Sequence, residues 1–233
     1  MISNDLDVTP YRARLLGHGR VQIPRFLQEP SAQRLHDCLR NEVPWTTAVR
    51  SDRPLPPGAD GPRALEGAQH QDMLQCLYER SRDDFEFVFD RYRMIDARRD
   101  GLDPDLLLHV VVDFLNSPPF LEFARELTGD GRIRMVSAIA ARYRPGHFLK
   151  MHNDKSGEED RAFAYVINLS HDWQADWGGL LQFLDGSQDV VETFTPHWNS
   201  LSLFRVPQVH QVSLLAPWAK ESRYSITGWF RRS

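Results

Sequence analysis

A series of short β-rich segments fills the C-terminal half of the chain, with Gly, Pro, Asn and Asp between them. Many short strands at close intervals are typical of an antiparallel sandwich or jelly roll, whereas βαβ units need a helical crossover between strands. We therefore predict a jelly-roll core, mainly β, over residues 131–233. The predicted strands are residues 133–143, 162–169, 180–184, 190–194, 200–204, 210–214 and 224–230.

The first 130 residues differ, because apolar residues there recur mostly at helical spacing. The 233 residues fit one ordinary domain. We expect an α+β organisation in which residues 1–130 are a helical and strand support packed against one sheet of the core. The predicted helices are 31–41 (with Ser31 as N-cap), 69–82, 104–116 and 119–128, and the predicted strands are 19–26, 44–49 and 85–95.

Residues 51–67 (SDRPLPPGADGPRALEG) are rich in proline and glycine and contain few bulky apolar side chains. Such a segment buries too little surface to hold one conformation, so we predict a mobile loop. Two interpretations remain open for it. It is either an inert surface insertion or a lid over a substrate groove.

Composition excludes several classes of partner. The formal net charge is −4 with both signs mixed along the chain, which gives no basic surface for direct nucleic-acid binding. The chain lacks an apolar run of membrane-spanning length, and its polar first residues do not resemble a signal peptide. Cys38 and Cys76 form no CxxC motif and are expected to be free thiols in a reducing compartment, so we expect a cytoplasmic protein.

Three residues form a candidate metal site. His152 and Asp154 stand two positions apart, and in an extended chain such positions point to the same side. An HxD tripeptide alone is a weak signal, but His210 begins a predicted apolar strand that a jelly roll can place beside it. Two imidazoles and one carboxylate on one face of an iron(II) ion leave the opposite face open for a chelating oxoacid and O₂.

Two further residues could bind an acidic ligand near that metal. Arg223 and Ser225 alternate on one side of a predicted core strand, where an arginine fork can hold a carboxylate at a fixed distance. Tyr143 lies where another predicted strand enters the site. Its hydroxyl could donate to the same carboxylate, or the residue could be an ordinary core tyrosine. The nearby tryptophans could line a substrate groove or belong to the core; they are Trp177, Trp198 and Trp229.

The segments YRPGHFLKMHND, DWQADWGGLLQF, WNSLSLFRVPQVHQV and SRYSITGWF resemble, in order and spacing, the 2-oxoglutarate/iron(II) prolyl hydroxylases. The resemblance extends over residues 131–233 and is greatest to the catalytic domain of ribosomal-protein prolyl 3-hydroxylases and their bacterial single-domain relatives. It implies a double-stranded β-helix, which is a jelly roll. Where the oxygen-sensing prolyl hydroxylases carry an additional tyrosine, this chain has Asn168.

The same resemblance implies a role for each site residue. His152, Asp154 and His210 would bind Fe(II), and Arg223 would pair with the distal carboxylate of 2-oxoglutarate. Tyr143 would hydrogen-bond the same carboxylate, and Ser225 would be the small polar residue beside the arginine. Fe(II), 2-oxoglutarate and O₂ are the implied cofactor and co-substrates, with ascorbate as a candidate reductant.

The function expected from the resemblance is hydroxylation of a prolyl residue in a protein or peptide, such as a ribosomal protein, by a single catalytic domain spanning residues 1–233. The eukaryotic enzymes carry a second, non-catalytic jelly roll for which this chain is too short. Two alternatives remain open: a hydroxylase of a free amino acid or other small molecule, and a metal-binding or ligand-binding jelly roll without turnover. The oligomeric state is left open.

Overall fold

A computed structural model describes residues 1–157 and 159–233. Within these two ranges the chain forms twelve strands, six α-helices and a short 3₁₀ helix at Ala175–Trp177. The helices are α1 (Thr9–His18), α2 (Glu29–Asn41), α3 (Gly67–Arg80), α4 (Met94–Asp100), α5 (Leu108–Leu115) and α6 (Pro118–Thr128). The strands are β1 (Arg20–Ile23), β2 (Thr46–Val49), β3 (Phe87–Tyr92), β4 (Met135–Val136), β5 (Ile139–Tyr143), β6 (Phe148–His152), β7 (Arg161–Asn168), β8 (Leu181–Leu184), β9 (Val190–Phe194), β10 (Ser200–Arg205), β11 (His210–Val212) and β12 (Arg223–Arg231).

The strands pair antiparallel in the order β1-β10-β7-β12-β5-β3-β6-β11-β8-β9, with β2 added to β3 and β4 to β12. The first five strands of this order make one wall and the last four make the other. β3 belongs to both walls, because it pairs with β5 and with β6. This nearly closed antiparallel barrel confirms the predicted jelly roll, and β1, β2 and β3 come from the N-terminal 130 residues.

Alternation along β12 separates the core from the interior of the barrel. Tyr224, Ile226 and Phe230 belong to the main hydrophobic core, which also contains buried residues of the N-terminal helices such as Leu39 and Phe120. The intervening side chains face a cavity between the two walls; they are Arg223, Ser225, Thr227 and Trp229. The helices thus cover one face of the larger wall and leave its other face for the site.

The helical predictions were less accurate. α2 begins at Glu29, so Ser31 lies inside its first turn and the prediction that it caps the helix was wrong. Pro30 explains the earlier start, because proline is favoured in the first turn, where its missing N–H costs nothing. α1 and α4 were missed because they bury little: Leu15 is the one buried residue of α1, and α4 is a short helix.

Residues 51–66 form turns and bends and precede α3. Arginines hold both ends of this segment. Arg53 pairs with Asp84 at 2.9 Å, and Arg144 donates to the carbonyl of Leu65 at 2.8 Å. Of the described residues that line the cavity, none comes from this segment. Its mobility stays a prediction.

A search of the described residues found no helix that is both long and apolar enough to span a membrane.

Candidate active site

His152, Asp154 and His210 meet at the mouth of the barrel. The Nε2 atom of His152 lies 3.4 Å from one carboxylate oxygen of Asp154, and Nε2 of His210 lies 3.6 Å from the other. The candidate ligand atoms of all three side chains fall within 4.8 Å of one another. Two imidazole nitrogens and one carboxylate oxygen at this spacing can hold one divalent transition metal ion on a single face.

A β-bulge in β6 turns His152 towards this cluster. His152 is paired with His210 and Leu149 with Val212, so three steps along β6 match two steps along β11. The extra residue shifts the alternation of β6, and Leu149 and His152 therefore both face the cavity. Without the bulge, residues three apart on a strand would point to opposite faces.

Asp154 reaches the cluster by a route that differs from the prediction. β6 ends at His152, and Asp154 lies beyond it with a left-handed backbone conformation (φ 59°). The expectation that both side chains alternate along one extended strand was therefore wrong, although the two side chains do converge. Asp is among the few residues that adopt this conformation readily, because its short polar side chain can bond locally. Arg161 Nη1 donates to the Asp154 carbonyl at 3.3 Å.

Backbone carbonyls orient both imidazoles. Nδ1 of His152 contacts the carbonyl of Lys150 at 2.9 Å, and Nδ1 of His210 contacts the carbonyl of Gln208 at 2.8 Å. A carbonyl can only accept, so each Nδ1 carries the proton and each Nε2 is left as a lone-pair donor. Burial, followed by the neighbouring His152, lowers the pKa of His210 to about 4, so its imidazole is neutral at physiological pH.

The Asp154 carboxylate remains ionised despite its burial. Burial acts to raise its pKa, but contacts with His152 and His210 outweigh that effect and leave the pKa below the usual value. The cluster therefore offers two nitrogen ligands and one anionic oxygen ligand.

Arg223 is buried in the same cavity, 2% exposed. Its Nη2 donates to Asn168 at 3.3 Å, whereas Nε and Nη1 have no hydrogen-bond partner among residues 1–157 and 159–233. A buried cation with unsatisfied N–H groups is costly unless an anion joins it. The site therefore fits a carboxylate ligand that enters the cavity beside the three-residue cluster.

Tyr143 lies beside this guanidinium, and Ser225 lines the same cavity. Arg223 is paired with Tyr143 across β12 and β5, and its guanidinium carbon lies 5.4 Å from the centre of the tyrosine ring. The Phe89 ring stacks on the Tyr143 ring, with the two ring centres 5.2 Å apart. Burial raises the pKa of Tyr143, so its hydroxyl stays protonated and can donate.

The six predicted site residues all line one cavity of about 120 Å³, whose remaining walls are mainly apolar. Sequence reasoning missed Thr227, which shares the alternation of Arg223 and Ser225 and could have been found by that signal. It also missed Arg161, whose guanidinium lies 3.7 Å from the centre of the Trp229 ring. Trp229 lines the cavity; Trp177 packs against Trp173, and Trp198 stacks on His171.

Fold and site together define a class of protein: a double-stranded β-helix with a cluster of two histidines and one aspartate at its mouth and a buried arginine in its interior. Residues 138–231 match the family model described as the 2OG-Fe(II) oxygenase superfamily. The matched segment is less than half of the chain, and it agrees with the resemblance found in the sequence motifs. It also agrees with the predicted Fe(II), 2-oxoglutarate and O₂, which that family uses.

Two prolyl 3-hydroxylases are similar in sequence to part of this chain. The chain is 33% identical over 102 residues to prolyl 3-hydroxylase OGFOD1 of Mus musculus; the aligned region is 41% of this chain and 18% of the mouse protein. A similar alignment, 33% identical over 119 residues, joins 48% of this chain to 22% of the Xenopus laevis OGFOD1. The chain thus matches less than a quarter of the length of these relatives.

Solved structures share the fold over almost the whole chain. An oxidoreductase of the 2OG-Fe(II) oxygenase family from Burkholderia pseudomallei superposes with a TM-score of 0.66 at 16% identity, covering 100% of this chain and 94% of that one. This comparison confirms the predicted fold class for residues 1–130 as well as for the β-rich part.

Proposed function

We propose that this protein is a 2-oxoglutarate-dependent Fe(II) dioxygenase that hydroxylates a prolyl residue of a protein. The observation that carries the proposal is the buried, partly unpaired guanidinium of Arg223 in the same cavity as His152, Asp154 and His210. A metal site alone would suit many activities, whereas a metal site with an enclosed carboxylate partner suits a co-substrate that is both a chelator and a dicarboxylate.

Each residue then has a distinct role. His152, Asp154 and His210 hold Fe(II) through two nitrogens and one oxygen. Arg223 binds the distal carboxylate of 2-oxoglutarate, Tyr143 donates its hydroxyl to the same carboxylate, and Ser225 supplies a small polar contact beside the arginine. When bound, Fe(II) with 2-oxoglutarate and O₂ supplies the oxidising power for hydroxylation of a substrate C–H bond.

The protein supplies orientation and exclusion of water. Arg223 fixes one end of the co-substrate at a set distance from the metal ligands, a gain that comes from geometry more than from acid–base strength. The apolar walls, which include Leu149, Val166 and Leu181, keep the cavity dry and strengthen the pairing of Arg223 with a carboxylate.

A protein substrate is supported by the relatives. Two are named prolyl 3-hydroxylases, and a solved structure from Trichoplax adhaerens is of a prolyl hydroxylase in complex with a peptide fragment of hypoxia inducible factor. That structure superposes with a TM-score of 0.61 at 16% identity, covering 97% of this chain and 89% of that one. A ribosomal protein is the substrate we favour, on the resemblance of the motifs.

Compartment and reductant belong to the same proposal. Cys38 and Cys76 are free thiols in the part of the chain that the structure describes, in keeping with a reducing compartment such as the cytoplasm. Ascorbate, as a reductant, would keep the iron in the ferrous state.

The test compares the wild type with His152→Ala. With Fe(II), ascorbate, 2-oxoglutarate and air, the wild type is expected to release succinate. Mass spectrometry of cells that produce the wild-type protein should show prolyl residues that have gained one oxygen. His152→Ala should do neither, while the control His18→Ala, at an exposed residue of α1, should do both.

Other outcomes separate the alternatives. Succinate release without any protein hydroxylation would favour a small-molecule substrate. A folded wild type that releases no succinate would favour a binding module and overturn the proposed activity.

A further inference from the structure

A buried polar network lies directly behind Arg223. Asn168 ends β7, and its neighbours across the sheet are Ser200 on β10 and Ser225 on β12. Asn168 and Ser200, together with Ser202, are at most 1% exposed. Of the described residues, Arg223 and Ser225 line the cavity but Asn168 does not. Asn168 therefore acts on the cavity only through a neighbour.

The hydroxyls fix which way the Asn168 amide points. Its Nδ2 donates to Ser200 Oγ and to Ser202 Oγ, both at 3.2 Å. Ser200 Oγ donates in turn to the carbonyl of His197 at 2.7 Å, and Ser202 Oγ also receives a hydrogen bond from Gln22 at 3.1 Å. Both hydroxyls are thus available to Asn168 as acceptors.

The opposite amide orientation is unfavourable. It would turn the NH₂ group towards the Arg223 guanidinium, which can only donate, and would leave Ser200 Oγ, whose proton is directed to His197, facing an oxygen. In the observed orientation Oδ1 accepts from Arg223 Nη2 at 3.3 Å. This bond restrains the guanidinium while Nε and Nη1 stay without a partner in the described part of the chain.

We infer that Asn168 is a positioning residue for co-substrate binding: held by Ser200 and Ser202, it orients Arg223 so that its remaining N–H groups meet the distal carboxylate of 2-oxoglutarate. The inference rests on the proposed function and deepens it. A neutral amide is the suitable partner here, because it restrains the cation without neutralising it. A carboxylate in the same place would satisfy the charge of Arg223 and compete with the ligand.

The decisive variant is Asn168→Asp, which preserves size and exchanges the amide for that competing carboxylate. We expect the KM for 2-oxoglutarate to rise at least tenfold while kcat at saturating co-substrate changes much less. Calorimetry on the Mn(II)-loaded protein gives a readout independent of turnover: Kd for 2-oxoglutarate should rise by a similar factor. Kd for 2-oxobutyrate, which lacks the distal carboxylate, should not change.

Two further variants complete the design. Ser202→Ala removes one of the two hydroxyls that hold the amide and should raise Kd for 2-oxoglutarate about threefold. Asn41→Asp makes the same chemical change at an exposed position of α2 and should leave both Kd values unchanged. Mn(II) affinity should be equal in all of these proteins, because none of the changes touches the metal cluster.

The outcomes are separable. Unchanged 2-oxoglutarate affinity in folded Asn168→Asp overturns the inference and leaves the proposed function standing. If that variant does not fold, unchanged affinity in Ser202→Ala overturns it instead. A wild type that binds Mn(II) but not 2-oxoglutarate overturns the proposed function itself, and the inference with it.

Discussion

His152 and His210 face each other as direct partners across β6 and β11, with ring centres 4.2 Å apart. Each Nδ1 atom is held by the carbonyl two residues earlier in the chain, Lys150 for His152 and Gln208 for His210, and both Nε2 atoms approach Asp154. The donor atoms are thus oriented before any metal arrives. A preorganised set of this kind loses little conformational entropy on binding an ion.

Removing the carboxylate of this set should therefore cost most of the metal affinity. We expect Asp154→Ala to weaken Mn(II) binding about 100-fold or more, because it removes the one anionic ligand, whereas loss of a supporting group around a metal typically costs 10–100-fold. Titration followed by electron paramagnetic resonance of free Mn(II) measures this directly. Asp189→Ala, at an exposed turn, is the matched control. Equal Mn(II) affinity in the two variants would show that Asp154 is not a ligand.

The residues of this site could be predicted because each carries a local signal. His210 starts an apolar strand, and Arg223 alternates with Ser225 along another, so their common direction follows from the two-residue repeat of a strand. Most strands of the C-terminal half were predicted within a few residues for the same reason. However, β6 was not among the predicted strands, and β4 and β5 were predicted as the single strand 133–143.

Features that depend on partners distant in sequence could not be predicted. The bulge in β6 exists only relative to β11, and the left-handed conformation of Asp154 falls on a residue that is not glycine. The polar network of Asn168 joins three strands that are separated by many residues. α1 and α4 bury too few side chains to show a helical pattern.

Gly228 allows β12 to pass close to the chain at Ser137. A Cβ atom at position 228 would lie 2.0 Å from the Ser137 carbonyl oxygen, and the two segments are also joined by hydrogen bonds between Ser137 and Trp229. Backbone cannot move away as a flexible side chain can. We expect Gly228→Ala to lower the free energy of unfolding by about 2–4 kcal/mol, as overpacked core positions do, measured by urea denaturation.

The matched control for Gly228 is Gly186→Ala in the β8–β9 turn. Within the described chain, no atom outside residues 185–187 lies within 4 Å of a Cβ added at Gly186. This variant should change the free energy of unfolding by less than about 0.5 kcal/mol. Similar values for the two glycines would contradict the close approach of β12 to Ser137.

Asp90 is a fully buried carboxylate between two arginines of β5 and its following turn. One of its oxygens lies 2.8 Å from both Arg142 and Arg144, and Arg144 also contacts Glu66 at 3.0 Å. We expect Asp90→Ala to destabilise the protein by about 3–5 kcal/mol, because it removes the buried counterion of two arginines and leaves them only Glu66, which is 74% exposed. Thermal and urea unfolding would measure the loss.

The ion pair of Asp52 with Arg50 provides the comparison, since Asp52 is 62% exposed. Asp52→Ala should cost no more than about 1 kcal/mol, the usual value for a surface pair. If Asp90→Ala were as mild as Asp52→Ala, the buried pairs would be too well hydrated to matter for stability.

His70 of α3 and His147 of the β5–β6 turn share one hydrogen bond, with their Nε2 atoms 2.9 Å apart. One ring must donate and the other accept, so the contact requires at least one neutral imidazole. Burial, followed by the charge of Arg144, lowers the pKa of His70 to about 4 and that of His147 well below its ordinary value. Glu66 opposes this effect at His70 only in part, and Arg142 adds to it.

The stability of the protein should therefore fall in mild acid. Unfolded histidine takes up a proton near pH 6.5, whereas folded His70 does so only near pH 4, so the unfolded state binds more protons as the pH drops through this window. Stability from this pair is complete above about pH 6.5 and declines towards pH 4. Replacing both residues by Gln should reduce the loss of unfolding free energy between pH 7 and pH 5 by about 1 kcal/mol, after allowance for partial screening at His70. Urea denaturation at the two pH values measures this change in the free energy of unfolding, and His18→Gln, at an exposed residue, is the control. An unchanged pH dependence in the double variant would mean that His70 and His147 are not the groups that titrate.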